Sequence, residues 1–277
     1  MSDLYCMKPP AGLYQNNFDL TNWVIQPKLD GFRCVFFPDG DSYKAISPNG
    51  KPLYNLEHIV KELVENDIKL VVDGELLDKN GNWNSTAHIV RASVKSRDGS
   101  NIQLHCFDVI PFDEFVNQKF VTQYHKRYET YSRIFTDFKT IIPVKSVPAI
   151  DDKNAWEMAK QFHKAGYEGA VIKKSSGVYK CGRSQDIQRL KFTDTLDLKI
   201  KSINIGEGKH SKRLGFVICD FKGVDVKIGS GFDDNLREEI WQNQSKYIGM
   251  YIEVKYQEIT AAGSLRFPTF IRLRDDK

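Results

Sequence analysis

The sequence predicts an α+β protein in two parts: a larger body of antiparallel sheets with flanking helices over 1–192, and a small β-barrel over 193–277. Strand-like runs bounded by turn signals alternate with amphipathic helical stretches through the first part. From Phe192 onward the texture shifts to closely spaced strands with a single short helix. Hydrophobic residues make up 41% of the 277, enough to build real cores in both parts.

Taken in order, the runs from Trp23 to Ile46 alternate with the turn signals Asp30-Gly31 and Pro38-Asp39-Gly40, the pattern of an antiparallel meander with Lys28 at a strand end. Asn55 to Glu65 reads as a helix capped by Asn55, with Leu56, Ile59, Val60 and Leu63 on one face. A buried strand from Ile68 follows and ends at Asp73-Gly74-Glu75-Leu76. Ser85 to Val94 reads as helix, Ile102 to Val109 as strand, and Asp113 to Phe135 as a long, mainly helical stretch. Asp152 to Ala165 is a helix stopped by Gly166, leading into the strand Gly169 to Lys173. Leu196 to Ile205, Phe216 to Phe221, Val224 to Ile228 and Tyr251 to Ile259 read as strands, with a helix near Asp233 to Asn243. That set suits a barrel of the OB type, with the boundary near Thr193.

No apolar run approaches the ~20 residues that cross a bilayer. Met1-Ser2-Asp3-Leu4-Tyr5 lacks a basic segment followed by an apolar one, so a soluble, cytoplasmic protein with no membrane partner is expected. The five cysteines are odd in number, widely spaced and without a C-x-x-C pair. They suggest neither a disulfide framework nor a zinc site. The six histidines are scattered too, so a metal falls to carboxylates and substrate phosphates, which suits magnesium. A net charge of +4 permits a polyanionic partner.

Chemistry concentrates in five segments. Gln26-Pro27-Lys28-Leu29-Asp30-Gly31-Phe32-Arg33 holds a lysine among apolar residues, with a carboxylate and a glycine just after it. A free lysine amine, with a pKa of about 10.4, is only ~0.1% neutral near pH 7.5, so nucleophilic attack demands cationic neighbours, a metal or desolvation. Alone, the motif favours a β-hairpin turning at Asp30-Gly31 with Lys28 in solvent. Asp73-Gly74-Glu75-Leu76 sets a carboxylate after a glycine that admits close backbone approach. Phe107, beside Asp108, suits stacking on a base. Glu168-Gly169-Ala170-Val171-Ile172-Lys173 puts an acid and a lysine at opposite ends of a strand. Tyr179-Lys180-Cys181-Gly182-Arg183-Ser184 is a basic glycine loop, and Arg189 and Lys191 face one way on a strand.

In this order and spacing the segments resemble motifs I, III, IIIa, IV and V of the covalent nucleotidyltransferase superfamily. Arg266 to Lys277 resembles motif VI of ATP-dependent DNA ligases, and Ile228-Gly229-Ser230-Gly231-Phe232 resembles the glycine turn of their OB domain. The nearest likeness is to the minimal viral and phage type. The resemblance implies an adenylation domain over 1–192 and an OB-fold domain over 193–277. It implies that Lys28 attacks the α-phosphate of ATP to form a lysyl-AMP, that AMP passes to the 5′-phosphate of a nick in duplex DNA, and that the 3′-hydroxyl then seals the strand.

Gln26, Asp30, Gly31 and Phe107 would belong to the nucleotide site, Phe107 stacking on adenine. Asp30 and Glu75 would contact the ribose or support the metal, Glu168 would help bind Mg2+ or Mn2+, Arg33 would contact the ribose and later the nick phosphate, and Lys173 and Lys191 would contact the α-phosphate. Arg272, Asp276 and Lys277 would orient pyrophosphate. Lys44, Lys51, Arg183, Arg189, Lys209, Lys212 and Arg213 would serve DNA.

The chain departs from the family at Ser47-Pro48-Asn49-Gly50, where Pro48 replaces an arginine expected to contact the nick phosphate and leaves Lys44 or Lys51 to substitute. The usual K-x-K pair of motif V is Arg189 and Lys191, or in a shifted register Lys191 and Thr193. Gly206 to Arg213 is short where some viral ligases insert a long hairpin. A monomer with weak, salt-sensitive DNA binding and a reliance on helper proteins is expected. RNA ligases and mRNA-capping guanylyltransferases share the lysine chemistry and are disfavoured by the C-terminal motif; a non-catalytic nucleic-acid-binding scaffold is disfavoured by Lys28, Glu75, Glu168 and Lys191 together.

Overall fold

A computed structural model of the protein describes residues 5–10, 14, 19–80, 83–92, 97–260 and 262–274. Two compact units divide between Lys191 and Phe192, one residue before the position read from the sequence. Among the described residues, no helix is long and apolar enough to cross a membrane.

The first unit contains, in chain order, β1 (Met7–Lys8), β2 (Trp23–Lys28), β3 (Phe32–Asp39), β4 (Ser42–Ile46), α1 (Glu57–Glu65), β5 (Leu70–Asp78), α2 (Trp83–Val90) and β6 (Ile102–Pro111). It continues with α3 (Phe112–Asn117), α4 (Tyr124–Ile134), β7 (Ile141–Pro143), β8 (Val147–Ala149), α5 (Asp152–Lys164), β9 (Gly169–Lys174), β10 (Gly182–Arg183) and β11 (Ile187–Lys191). One sheet runs β4-β3-β5-β6-β7 and a second β11-β9-β2-β8, while β1 pairs with β10 alone. Pairing is antiparallel except for β6 with β7 and β1 with β10. Helices α1, α2 and α4 cover the larger sheet, burying Ile59, Leu63, Val90, Tyr131 and Phe135 against Phe36, Leu76 and Leu104.

Several local expectations change for identifiable reasons. The run from Trp23 to Ile46 is not one meander: β2 and β3 lie in different sheets, so Asp30-Gly31 is a crossing and not a hairpin turn. Asn55 does not cap α1. It sits at φ +62° and gives its side-chain amide to the carbonyls of Ile89 (2.9 Å) and Ala92 (3.2 Å). Strand β5 does not end at Asp73 but passes through a bulge between Asp73 and Gly74 and runs on to Asp78, so Glu75 lies within the strand. The stretch from Asp113 to Phe135 is two helices, broken after Gln118 turns left-handed at φ +52°.

The second unit contains β12 (Asp194–Ile205), β13 (Leu214–Phe221), β14 (Val224–Ile228), α6 (Asp234–Gln242), α7 (Gln244–Tyr247), β15 (Tyr251–Tyr256) and β16 (Thr269–Arg274). Its sheet order is β14-β13-β12-β15-β16, and a parallel bridge from Ser230 to Thr269 brings the two edges together. Strand β16 was read in the sequence only as a motif. Here closure of the barrel makes it a strand. Arg237 on α6, buried, donates to the carbonyls of Leu214 (2.9 Å), Gly215 (3.0 Å), Gly229 (2.6 Å) and Phe232 (3.3 Å) and so ties the helix to the barrel. Arg237→Ala strips four carbonyls of that donor and is expected to cost the second unit about 3 kcal/mol. Urea unfolding followed by probes in each unit checks this: the second unit's midpoint should fall while the first unit's stays in place.

Candidate active site

Strand register brings together residues far apart in sequence. On β9, Gly169 pairs with Lys28 of β2 on one side and with Lys191 of β11 on the other. Only glycine serves there, since φ is +141° and a Cβ would lie 2.2 Å from the Leu190 carbonyl oxygen. The preceding Glu168 is pinned by its backbone N–H, which donates to the Lys28 carbonyl at 2.9 Å. Its carboxylate then lies between two ammonium groups: Lys28 Nζ donates to Oε2 and Lys191 Nζ to Oε1. Burial opposes the Glu168 charge, but Lys28 and Lys191 outweigh it and hold the carboxyl below its usual range. Burial lowers the Lys191 ammonium despite the Glu168 contact, and the charge of Lys28 adds to that.

Lys28 opens onto a cavity of about 460 Å³ that Gln26, Arg33, Glu75, Phe107, Lys173, Arg183 and Arg189 also line. The sheet crossing explains why these groups meet. After Lys28 the chain steps through Leu29-Asp30-Gly31 into the larger sheet, so close to β5 that a Cβ on Gly31 would lie 2.4 Å from the Leu76 carbonyl oxygen. Arg33 on β3 then pairs with Glu75 on β5. Arg33 is fixed by a bidentate contact to buried Asp73, Nε to Oδ1 at 3.0 Å and Nη2 to Oδ2 at 2.7 Å, and Tyr179 donates its hydroxyl to the same carboxylate at 2.6 Å.

The ring of Phe107 has the Arg33 guanidinium 5.1 Å from its centroid and the Lys173 ammonium 4.9 Å from it. Lys173 is held by the Phe107 carbonyl at 2.6 Å and by Asp108 at 3.6 Å, and burial pulls its ammonium down to about 8. Asp108 in turn is clamped by Arg127, Nε to Oδ1 at 2.7 Å. Gln26, buried, gives its amide N–H groups to the Tyr131 hydroxyl (2.9 Å) and the Val144 carbonyl (3.3 Å). The amide oxygen is therefore the atom it can offer a ligand.

Residues 13–191 match the family model described as the ATP dependent DNA ligase domain, and 205–274 match the DNA ligase OB-like domain. The chain belongs to the ATP-dependent DNA ligase family. The DNA ligase of Haemophilus influenzae is 25% identical over 262 residues, covering 93% of this chain and 88% of that protein. The solved structure Pmar-Lig_PreS3 superposes with a TM-score of 0.82 at 27% identity, covering 92% of this chain and 64% of that one. A Lig E DNA ligase, solved in work on DNA binding with a minimal scaffold, shares the fold at a TM-score of 0.77 and 22% identity, over 96% of this chain and 98% of that one. The chain also spans about half the length of the archaeal DNA ligases it matches. ATP use and a covalent AMP intermediate come with membership of the family.

In this ligase the first-unit candidates Asp30, Gly31, Lys44 and Lys51 do not line the cavity. Asp30 and Gly31 lie in the sheet crossing and do not line it. Lys44, on β4, is exposed and paired with Asp39 at 2.9 Å, and Lys51 is exposed in a turn; neither lines the cavity. Lys209, Lys212, Arg213 and Arg272 belong to the second unit. Arg213 is tied to Asp234 at 3.2 Å and to His210 at 3.0 Å, and Arg272 to Glu253 at 2.7 Å. Asp276 and Lys277 lie outside the described residues. Strand β11 ends at Lys191, with Arg189 and Lys191 on one face and Thr193 beyond it. Sequence reasoning missed Lys8, which lines the cavity, and the buried partners Asp73, Asp108, Arg127 and Tyr179. Asp73, Asp108 and Tyr179 stand in segments that hold candidate residues, and that position is the signal that could have flagged them; Lys8 and Arg127 had none.

Burial raises the Glu75 carboxyl to about 7, against the opposing pull of Lys28 and Arg33. Between about 4.5 and 7 the folded protein then keeps a proton there that the unfolded chain has released. This contribution to stability is full below 4.5 and is lost as pH rises toward 7. Glu75→Gln should flatten that part of the pH profile and raise the melting temperature near pH 8, as thermal melts of both proteins across the range would show.

Proposed function

We propose that the protein seals 3′-hydroxyl/5′-phosphate nicks in duplex DNA with ATP, through AMP carried on Lys28. The observation that carries this reading is the Lys28 amine, held on Glu168 and opening onto a cavity lined by an aromatic ring, cations and a carboxylate. The Lys28 nitrogen attacks the α-phosphorus of ATP. Nζ releases one ammonium proton to free its lone pair, an N–P bond forms as the bond to pyrophosphate breaks with its electron pair leaving on pyrophosphate, and a second proton is lost, leaving one N–H in the phosphoramidate. AMP then moves to the 5′-phosphate of the nick, regenerating the amine. The 3′-hydroxyl oxygen displaces AMP and closes the phosphodiester.

The chain's contribution is positioning and charge neutralisation. Glu168 orients Lys28, while Lys191 and Lys173 meet the α-phosphate. Phe107 stacks on the base, and Arg33, locked by Asp73, contacts the ribose and then the nick phosphate. The Gln26 amide oxygen faces an exocyclic amine, which adenine has where guanine carries an oxygen. Glu75 and Glu168 are the two carboxylates suited to a divalent cation, and no group of three His, Cys, Asp or Glu side chains that could hold a metal exists among the described residues. Mg2+ or Mn2+ would therefore complete its shell with phosphate oxygens and water and supply neutralisation of phosphate charge. Arg183 and Arg189 at the cavity, and Lys44, Lys51, Lys209, Lys212 and Arg213 elsewhere, would meet DNA phosphates. Arg272 would serve pyrophosphate once it leaves Glu253.

Incubation with α-labelled ATP and magnesium, on folded protein freed of bound AMP, tests this reading. Wild type should take the label and pass it to nicked DNA in preference to nicked RNA, whereas Lys28→Ala should stay at background. An unlabelled wild type, or a labelled Lys28→Ala, contradicts it. Gln26→Ala should narrow the preference for ATP over GTP by about 10-fold, the worth of one buried hydrogen bond; labelling rates with the two nucleotides check this.

A further inference from the structure

The N-terminal strand β1 is a strap laid across the first unit. Tyr5 N–H donates to the Pro48 carbonyl at 3.1 Å, Gly182 N–H to Cys6 at 3.0 Å and Ser184 N–H to Lys8 at 2.8 Å. Met7 N–H donates at 3.1 Å to the Tyr179 hydroxyl, the same hydroxyl that donates to Asp73 and so supports Arg33. Arg183 closes the strap with a bond to the Pro9 carbonyl at 3.2 Å. The parallel register sets Lys8 opposite Arg183, and both line the cavity onto which Lys28 opens.

Lys8 differs from the other cavity lysines. Lys28 and Lys173 each lie against a carboxylate, while Lys8 forms no ion pair among the described residues. Pro48, which stands where the family pattern has a phosphate-binding arginine, accepts a hydrogen bond from this strap. The lysines nearest to it in sequence, Lys44 and Lys51, do not line the cavity.

We propose that Lys8, presented by the strap and paired in register with Arg183, is a substrate-phosphate-binding residue of this cavity. A cation held at the cavity wall without a carboxylate partner is suited to an incoming anion, and the two candidate sources are the terminal phosphates of ATP and the 5′-phosphate of the nick. The assignment rests on the ligase reading above.

The test compares full-length wild type, Lys8→Ala and Lys8→Arg in two arms. One follows the rate of protein labelling against the concentration of α-labelled ATP. The other follows sealing of nicked duplex by pre-adenylated protein over a range of salt. Lys8→Ala should lose about 10-fold or more in one arm, and Lys8→Arg should restore most of it at an unchanged melting temperature. A loss in the labelling arm assigns the ATP phosphates. A loss in the sealing arm, with the salt slope of nick binding shallower by about 0.9, assigns the nick phosphate. Wild-type rates for Lys8→Ala in both arms overturn the proposal, as does a loss that follows a lowered melting temperature and is not rescued by arginine. A wild type that takes no label overturns the ligase reading and this assignment with it.

Discussion

Everything at the site depends on one carboxylate held between two ammonium groups. Glu168 cannot choose its place: its backbone N–H is bonded to the Lys28 carbonyl, and Gly169 after it is shared by β2 and β11. A one-residue slip of either strand would turn Lys28 or Lys191 to the opposite face and leave Glu168 short of a partner. Glycine at 169 lets the three strands approach closely enough for both lysines to reach one side chain. Two partly buried cations flanking one anion leave a net positive charge in this cluster, the condition under which an anion is drawn in.

A second layer of buried charge holds the walls in place. Asp73 fixes Arg33 and Asp108 fixes Arg127 and Lys173, with Tyr179 linking Asp73 to the N-terminal strap. Such pairs are costly to break from one side, because the partner left behind is an uncompensated charge in a low-dielectric interior. Their value here is rigidity. They hold the Arg33 guanidinium and the Lys173 ammonium beside the Phe107 ring, so these groups are fixed in place without a ligand.

The strands and helices with strong periodicity were legible in the sequence. Helix α5, stopped by Gly166, and strand β14, over Val224 to Ile228, needed only local rules. What local rules missed was set by long-range partners. Asp30-Gly31 has the chemistry of a hairpin turn, yet its flanking strands find partners in separate sheets. Asn55 is a good cap by type, but the Ile89 and Ala92 carbonyls claim its amide. The cavity gathers Gln26, Lys28, Arg33, Glu75, Phe107, Lys173, Arg183 and Arg189, all singled out from short motifs. Lys8 carried no such signal, because it stands in none of those motifs and only the pairing of β1 with β10 brings it beside Arg183 at the cavity.

Lys28 and Lys191 share Glu168 but differ in access. Lys28 lines the cavity and its side chain is 23% exposed, whereas that of Lys191 is 12% exposed. Tandem mass spectrometry of protein incubated with ATP and magnesium, handled at neutral or alkaline pH to preserve the N–P bond, locates the AMP directly. AMP is expected on the peptide containing Lys28 and on no other lysine; AMP on Lys191 would move the nucleophile to the other side of Glu168.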